Sequence, residues 1–460
     1  MSLEEEQPPE QELDPFDAYR QFFALERDVL VLSLAMFAFS LGFQMTNRYM
    51  AEYLVALGAT AFVIGLFGTF GNVISALYPY PGGAISDRIG SRYALTAFGL
   101  LATIGFCIWL AAPFLSGIAI GPIELSIVAV FVGLCFAQAW KSFGLGATYA
   151  IVKQAVPPGR LAMGFASTEL FRRTAFLVGP LIAAALFAPF TGAADDVVLA
   201  FQLILGVAIV FGIVGTVGQH VLYDSSEDSF GKQFEGLSQL VEDLRSLPPE
   251  LQPLLVADTL VRFANGMVYI FFVLVVTEFL QVGLALPTSL PVVGDSLSPQ
   301  AFFGLLLGLE MLIALAVLVP SAKLAERVGL KPVVAGGFLV YAVFPIVLIS
   351  APESALVLAL LFAFSGLRFA GLPAHKALIV GPAELGTGGR VTGAYYLVRN
   401  LLVIPGAALG GLIWGGFSNP LTGEVVLAGS PTLAFTIATA IGLVGTAYFL
   451  LFGREFEAYR

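Results

Sequence analysis

Several ionisable side chains stand in stretches that are otherwise apolar: Arg172 and Arg173, Arg262, Glu310 and Arg399, with Lys141, Arg368, Glu169, Asp258 and Arg48 in similar surroundings. At membrane depth such groups are costly, and they mark solute pathways, proton relays or fixed ion pairs. At about 1.5 Å per helical residue, Arg172, Arg173, Arg262, Glu310 and Arg399 fall about 13 to 18 Å from the ends of their stretches, near the middle of a ~30 Å hydrocarbon layer. Arg368 and Lys141 fall deeper toward one side, Arg48 near the far end of the first stretch, and Glu169 about one helical turn from Arg172. Asn72, Gln138 and Asn400 add uncharged hydrogen-bonding groups that could line a cavity with the arginines. Cations outnumber Glu169, Asp258 and Glu310, which would suit an anionic solute. Lys141 and Arg368 could instead snorkel or bind backbone carbonyls.

Elements that hold charges at such depth must cross lipid. Apolar residues make up 58% of the 460, charged residues only 12%, against about a quarter in soluble domains. The 40 Phe and 50 Gly read as bulky lipid-facing side chains alternating with sites of close helix approach. Spanning stretches are expected at about 29 to 50, 59 to 80, 93 to 113, 124 to 149, 162 to 188 and 197 to 220. After a polar gap they resume at about 251 to 279, 300 to 320, 332 to 350, 354 to 377, 390 to 416 and 431 to 452. The expectation is an all-α membrane protein of twelve transmembrane helices in two six-helix bundles, 29–220 and 251–452. An acidic tail over 1–28 and a short tail over 453–460 flank them. The linker 221–250 carries Phe230, Phe234, Leu237, Val241 and Leu244 at helical spacing and so should contain an amphipathic helix. Lys and Arg concentrate in alternate loops, which places both termini in the cytoplasm and the protein in the plasma membrane.

Other chemistries find little support. Cys107 and Cys135 are isolated in apolar runs, as His220 and His375 are in the sequence, so neither a disulfide framework nor a metal site is expected. Gly231-Lys232 lacks the upstream glycine of a phosphate-binding loop, which argues against a pump driven by ATP. No nucleophile, metal or paired acid suggests an enzyme, although Glu310 and His375 keep a membrane-embedded one in view. No cofactor or nucleic acid is implied. The expected partners are a small-molecule substrate and the bilayer, with protons as a coupling ion, and the expected state is a monomer.

One loop pattern occurs twice. Gly83-Ala-Ile-Ser-Asp87-Arg88-Ile-Gly90-Ser-Arg92 follows the second span, and Ala322-Lys-Leu-Ala-Glu326-Arg327-Val-Gly329-Leu-Lys331 follows the eighth, which argues for internal duplication. The chain thereby resembles the major facilitator superfamily from about residue 29 to 452. The segments around Arg368 to Lys376 and Tyr395 to Asn400 are similar to a prokaryotic subgroup. That subgroup has an acidic residue after Arg368 and arginine in place of His375, and this chain departs at both. The resemblance implies alternating access by two rocking halves. It also implies a latch between Asp87 and the N-terminus of helix 11 near Gly389, where amides and dipole favour a carboxylate. The alternative is that Asp87 and Arg88 only form a tight turn and set orientation.

In that architecture helix 5 faces helix 8 and helix 2 faces helix 11. Glu310 would then lie across from Arg172 or Arg173, as a proton site or as a permanently ionised pair. Arg399 would face the stripe Thr69, Asn72 and Ser75. Gly179-Pro180 in helix 5 resembles an antiporter motif, and equally reads as a kink or close helix contact. Proton-coupled export and uptake or exchange of a small organic anion are the two transport readings, with export ranked slightly ahead.

Overall fold

A backbone in hydrocarbon must satisfy its own N–H and C=O groups, and only helices do so one segment at a time. In the computed structural model the described residues are 27–120, 123–143, 161–224, 248–290, 294–381, 388–418 and 425–455. They form twelve membrane helices. In the first half α1 is Arg27–Asn47 continued by Met50–Ala56, α2 is Ala61–Leu77 continued by Pro79–Ile89, and α3 is Ser91–Ala111. Leu125–Ala137 and Ala139–Phe143 make α4, Leu161–Phe187 α5 and Ala194–Leu222 α6. In the second half α7 runs Gln252–Val268 and on through short irregular turns to Phe279, α8 is Pro299–Val328 and α9 is Leu330–Ile349. Ala355–Gly366 and Leu372–Val380 make α10, Gly388–Val403 and Gly406–Gly415 α11, and Pro431–Phe452 α12. Ten segments are long and apolar enough to span, Ala61–Leu77 is a shorter apolar helix, and α5 completes the series.

Three small antiparallel hairpins cap one face: β1 Ala119–Ile120 with β2 Ile123–Glu124, β3 Leu284–Leu290 with β4 Gly294–Leu297, and β5 Gly416–Ser418 with β6 Val425–Ala428. The two repeated motifs lie on the other face. These are the hairpin face and the motif face below. The expected amphipathic linker helix falls mostly on 225–247, outside the described residues.

The packing repeats between halves. In the first, α1 packs on α5 and α6, and α3 on α4 and α6; in the second, α7 packs on α11 and α12, and α9 on α10 and α12. Between halves α2 meets α11 and α5 meets α8, each the counterpart of the other under a two-fold exchange. Gly179 and Pro180 serve these contacts. A side chain on Gly179 would meet Gln44 and the Leu41 carbonyl of α1, and the Pro180 carbonyl sits against Gly304 of α8.

The repeated motif is mostly helical, not a loop as its sequence suggested. Residues 83 to 89 continue α2 and 322 to 328 continue α8, and the chain turns only at Gly90 (φ 84°) and Gly329 (φ 93°). A left-handed φ with extended ψ is open to glycine and strained for other residues, which explains why this glycine stands in both copies. A second glycine is fixed by packing. A methyl on Gly410 of α11 would lie 1.7 Å from the Met267 carbonyl oxygen of α7, backbone against backbone. Gly410→Ala is expected to cost about 1–3 kcal/mol, read as a lowered Tm in lipid or detergent. Gly393→Ala, on the same helix with open space around it, should leave Tm unchanged or raised.

Candidate functional site

Irregular backbone at membrane depth is tolerated where it lines a cavity or is buried in protein. Four such places meet at the middle of the bundle: the break after Asn47 in α1, the turns after Val268 in α7, the 3-10 stretch Leu367–Gly371 in α10 and the break before Gly406 in α11. Three of them border a cavity of about 300 Å³ between the halves, and the fourth places Arg368 behind its wall. Its first-half wall includes Arg48, Asn72, Ser75, Gln138 and Lys141. Its second-half wall includes Arg262, Asn265, Tyr269, Glu310, Arg399 and Asn400.

Two ion-pair systems lie in the second half, and they differ in kind. Asp258, fully buried on α7, is a hub. Its carboxylate accepts from Arg262 one turn on (3.3 Å) and from Arg399 of α11 (3.1 Å), and His375 Nε2 of α10 lies 3.2 Å away. The Tyr395 hydroxyl sits 3.2 Å from the same carboxylate and 3.3 Å from the Leu254 carbonyl. Arg262 also donates to the Tyr341 hydroxyl (3.0 Å), while Arg399 donates to Asn400 Oδ1 (2.8 Å) and stacks over Tyr396. Asp258 therefore orients two guanidinium groups that reach the cavity wall.

The second system is Glu310 with Arg368, 2.9 Å apart and both almost fully buried. Ser365 donates a hydrogen bond to the same carboxylate oxygen. The rings of Tyr269, Tyr341 and Phe369 surround the Arg368 guanidinium at 5.0 to 5.7 Å. This corrects the expected pairing, because Glu310 takes its cation from α10 of its own half and not from Arg172 or Arg173 of α5. Arg172 and Arg173 are half-buried on α5, with Arg172 5.6 Å from the Phe176 ring. The Glu169 side chain lies outside the described residues.

Other expected residues find simpler settings. Ser75 donates to Gln138 of its own half (3.0 Å), and Thr69 accepts from the Ala408 amide of α11 (3.0 Å), so the α2 stripe meets α11 at Thr69. The Lys141 ammonium lies over the Phe43 ring at 4.3 Å and remains exposed to the cavity. Neither Lys141 nor Arg368 takes the snorkelling position that was one expectation for it. In the motif, Arg88 and Arg327 are exposed, and Arg92 donates to the His220 carbonyl of α6 (2.7 Å). The side chains of Asp87 and Glu326, and those around Gly389, lie outside the described residues, and the latch with them.

Sequence reading missed the hub. Asp258 and Arg262 at i and i+4 in an apolar run were its visible trace, whereas His375, isolated along the chain, reaches Asp258 only through the break in α10. Arg48, placed near one end of α1, lines the cavity with its guanidinium 4.6 Å from the Tyr269 ring of the other half.

Two bundles related by a two-fold exchange around a central polar cavity are the layout in which many secondary transporters are built. No family profile matches the sequence. Two Mycobacterium tuberculosis proteins, from strains CDC 1551 / Oshkosh and ATCC 25618 / H37Rv, are each 28% identical over 202 residues and are named uncharacterized MFS-type transporters. That match takes in 44% of this chain and 42% of each relative, so the chain spans about two fifths of the length of the curated relatives it matches. Among solved structures, a point mutant of the nucleoside transporter NupG superposes with a TM-score of 0.69 at 11% identity, covering 93% of this chain and 100% of that one. A bacterial homologue of the iron transporter ferroportin, inward-facing, gives 0.69 at 13% over 93% and 99%. A POT family transporter in complex with 5-aminolevulinic acid gives 0.67 at 14% over 94% and 99%. Over the matched 202 residues the chain is thus similar to proteins named MFS-type transporters, and along nearly its whole length it shares the fold of these solved transporters.

Proposed function

We propose that the protein is a secondary active transporter that moves a small organic anion across the plasma membrane by alternating access. Its halves, about 29–220 and 251–452, rock about the central cavity, and both termini are cytoplasmic. The observation that carries the reading is the charge of the cavity wall. Among the described residues, Arg48, Lys141, Arg262 and Arg399 line it against one carboxylate, Glu310, whose charge Arg368 already offsets. Asp258 balances Arg262 and Arg399 only in part, which leaves an anion room to complete their coordination. A second reading, proton-coupled export, is favoured by Glu310 itself, a carboxylate on the cavity wall with a cation that its protonation would release.

The experiment is flux into vesicles containing purified protein under an imposed pH gradient, with small mono- and dicarboxylates, sugar phosphates and lipophilic cations as probes. Anion flux is expected. Flux of lipophilic cations alone would overturn the anion assignment. Lys141→Ala removes a cavity cation outside both ion-pair systems. A charge-assisted contact contributes about 1.5–3 kcal/mol, so anion affinity should fall roughly tenfold or more with Tm unchanged.

A further inference from the structure

We propose that Glu52 is a proton-binding site whose occupancy holds the hairpin-face gate shut, an inference that rests on the alternating-access reading above. Glu52 lies on the Met50–Ala56 segment of α1, beyond the apolar span Val29–Asn47 and away from the cavity. It is 2% exposed, and both of its carboxyl oxygens cross the seam between halves. Oε1 lies 2.6 Å from Gln300 Nε2 on α8, and Oε2 lies 2.6 Å from the Thr277 hydroxyl at the end of α7. One turn before it, the Tyr49 hydroxyl donates to the Gln300 carbonyl (3.1 Å).

Counting hydrogens assigns the proton. Gln300 Nε2 is a donor, so Oε1 accepts. The Thr277 hydroxyl has one hydrogen but two oxygens within reach, Oε2 of Glu52 and the Val273 carbonyl one turn back at 3.0 Å. With Glu52 ionised, one of these contacts has no hydrogen. With Glu52 protonated, Oε2–H donates to Thr277 and Thr277 donates to Val273, and every contact is made.

The charges nearby agree with this. Among the described residues no cation pairs with Glu52, and Glu278, next to Thr277 on α7, is an exposed like charge. The first turn of α8 is uncharged, and the acidic first turn of α6 carries Asp195, exposed, and Asp196, half-buried and accepting from the Thr191 amide and hydroxyl. On its own helix the titratable neighbours are Tyr49 and Tyr53, whose hydroxyls donate to the Gln300 and Trp109 carbonyls. An ionised, buried carboxylate without a counter-cation is unfavourable. Opening the seam would let water solvate Glu52, which releases its proton to that side and must regain one before the seam closes.

The test needs no substrate. Spin labels at Ala193 and Ser296, exposed on either side of this seam, report its separation, and a second pair at Arg88 and Lys323 reports the motif face. Between about pH 3.5 and pH 9, a range that takes in the ordinary glutamate value of about 4.3 and extends well above it, the wild-type seam should widen as pH rises. Glu52→Gln, which keeps the shape and cannot ionise, should stay closed throughout. Thr277→Val, which removes the proton's acceptor, should open at lower pH than the wild type. A wild-type pH response retained in Glu52→Gln, or a seam that ignores pH, overturns the proton site. Alternating access is judged separately: it fails if the two faces never move in opposite senses, whatever Glu52 does.

Discussion

Asp258→Ala should yield a protein that is destabilised well beyond the loss of one hydrogen bond. The change leaves Arg262 and Arg399 without their shared carboxylate, takes away the carboxylate beside His375, and leaves Tyr395 only the Leu254 carbonyl among its two acceptors. Removing one partner of a buried pair costs about 3–5 kcal/mol, because the other charge stays behind. Both arginines reach the cavity, with side chains 25% and 16% exposed, so water can recover part of their solvation and the low end of that range is expected. Asp258→Asn separates charge from shape: if charge is what matters, it should lie close to Asp258→Ala in Tm. Adding Arg399→Gln to Asp258→Asn should then recover stability, since one fewer cation is left unpaired. A Tm for Asp258→Asn equal to the wild type would mean that the hub is held by shape and hydrogen bonding alone.

The twelve helices were legible in the sequence because lipid leaves the backbone so little choice. Each apolar stretch of sufficient length became a helix, and alternation of Lys- and Arg-rich loops matches the alternation of motif and hairpin faces. The pairing of α5 with α8 and of α2 with α11 came from the resemblance, which also carried the expectation that α2's polar stripe faces α11. What failed was azimuth. Residue counting gives depth along a helix, and by depth Arg172, Arg173 and Glu310 are neighbours. Which way a side chain turns depends on local winding, and the 3-10 stretch Leu367–Gly371 turns Arg368 inward to Glu310. The same break brings His375 to Asp258. Neither event has a signal in hydrophobic periodicity, because a single 3-10 turn shifts the phase of everything after it. Glu52 was passed over for a related reason. Its sequence position reads as an outer loop, whereas one more helical segment after Arg48 carries it into the seam.

The separation of structure from coupling is sharpest at Glu310. Arg368 is 3% exposed, and among the described residues its Nε has no hydrogen-bond partner and Glu310 is its only ion-pair partner. Relaxation is blocked, because a methyl on Gly366 would lie 2.6 Å from the Glu310 carbonyl oxygen, which places α8 and α10 backbone to backbone. Glu310→Gln should therefore fall at the upper end of the roughly 3–5 kcal/mol range for a stranded buried charge, seen as a large drop in Tm. Replacing both partners with neutral groups of similar volume is often neutral, so Glu310→Gln combined with Arg368→Met should restore stability. That stable double variant is the one in which coupling can be read. If Glu310 carries the coupling proton, flux driven by a pH gradient is lost while downhill exchange of the same anion persists. Full gradient-driven flux in the double variant would remove Glu310 from coupling and leave the pair as packing. A single Glu310→Gln variant as stable as the wild type would show that the aromatic rings suffice to hold Arg368, and the pair would then be free to dissociate within the transport cycle.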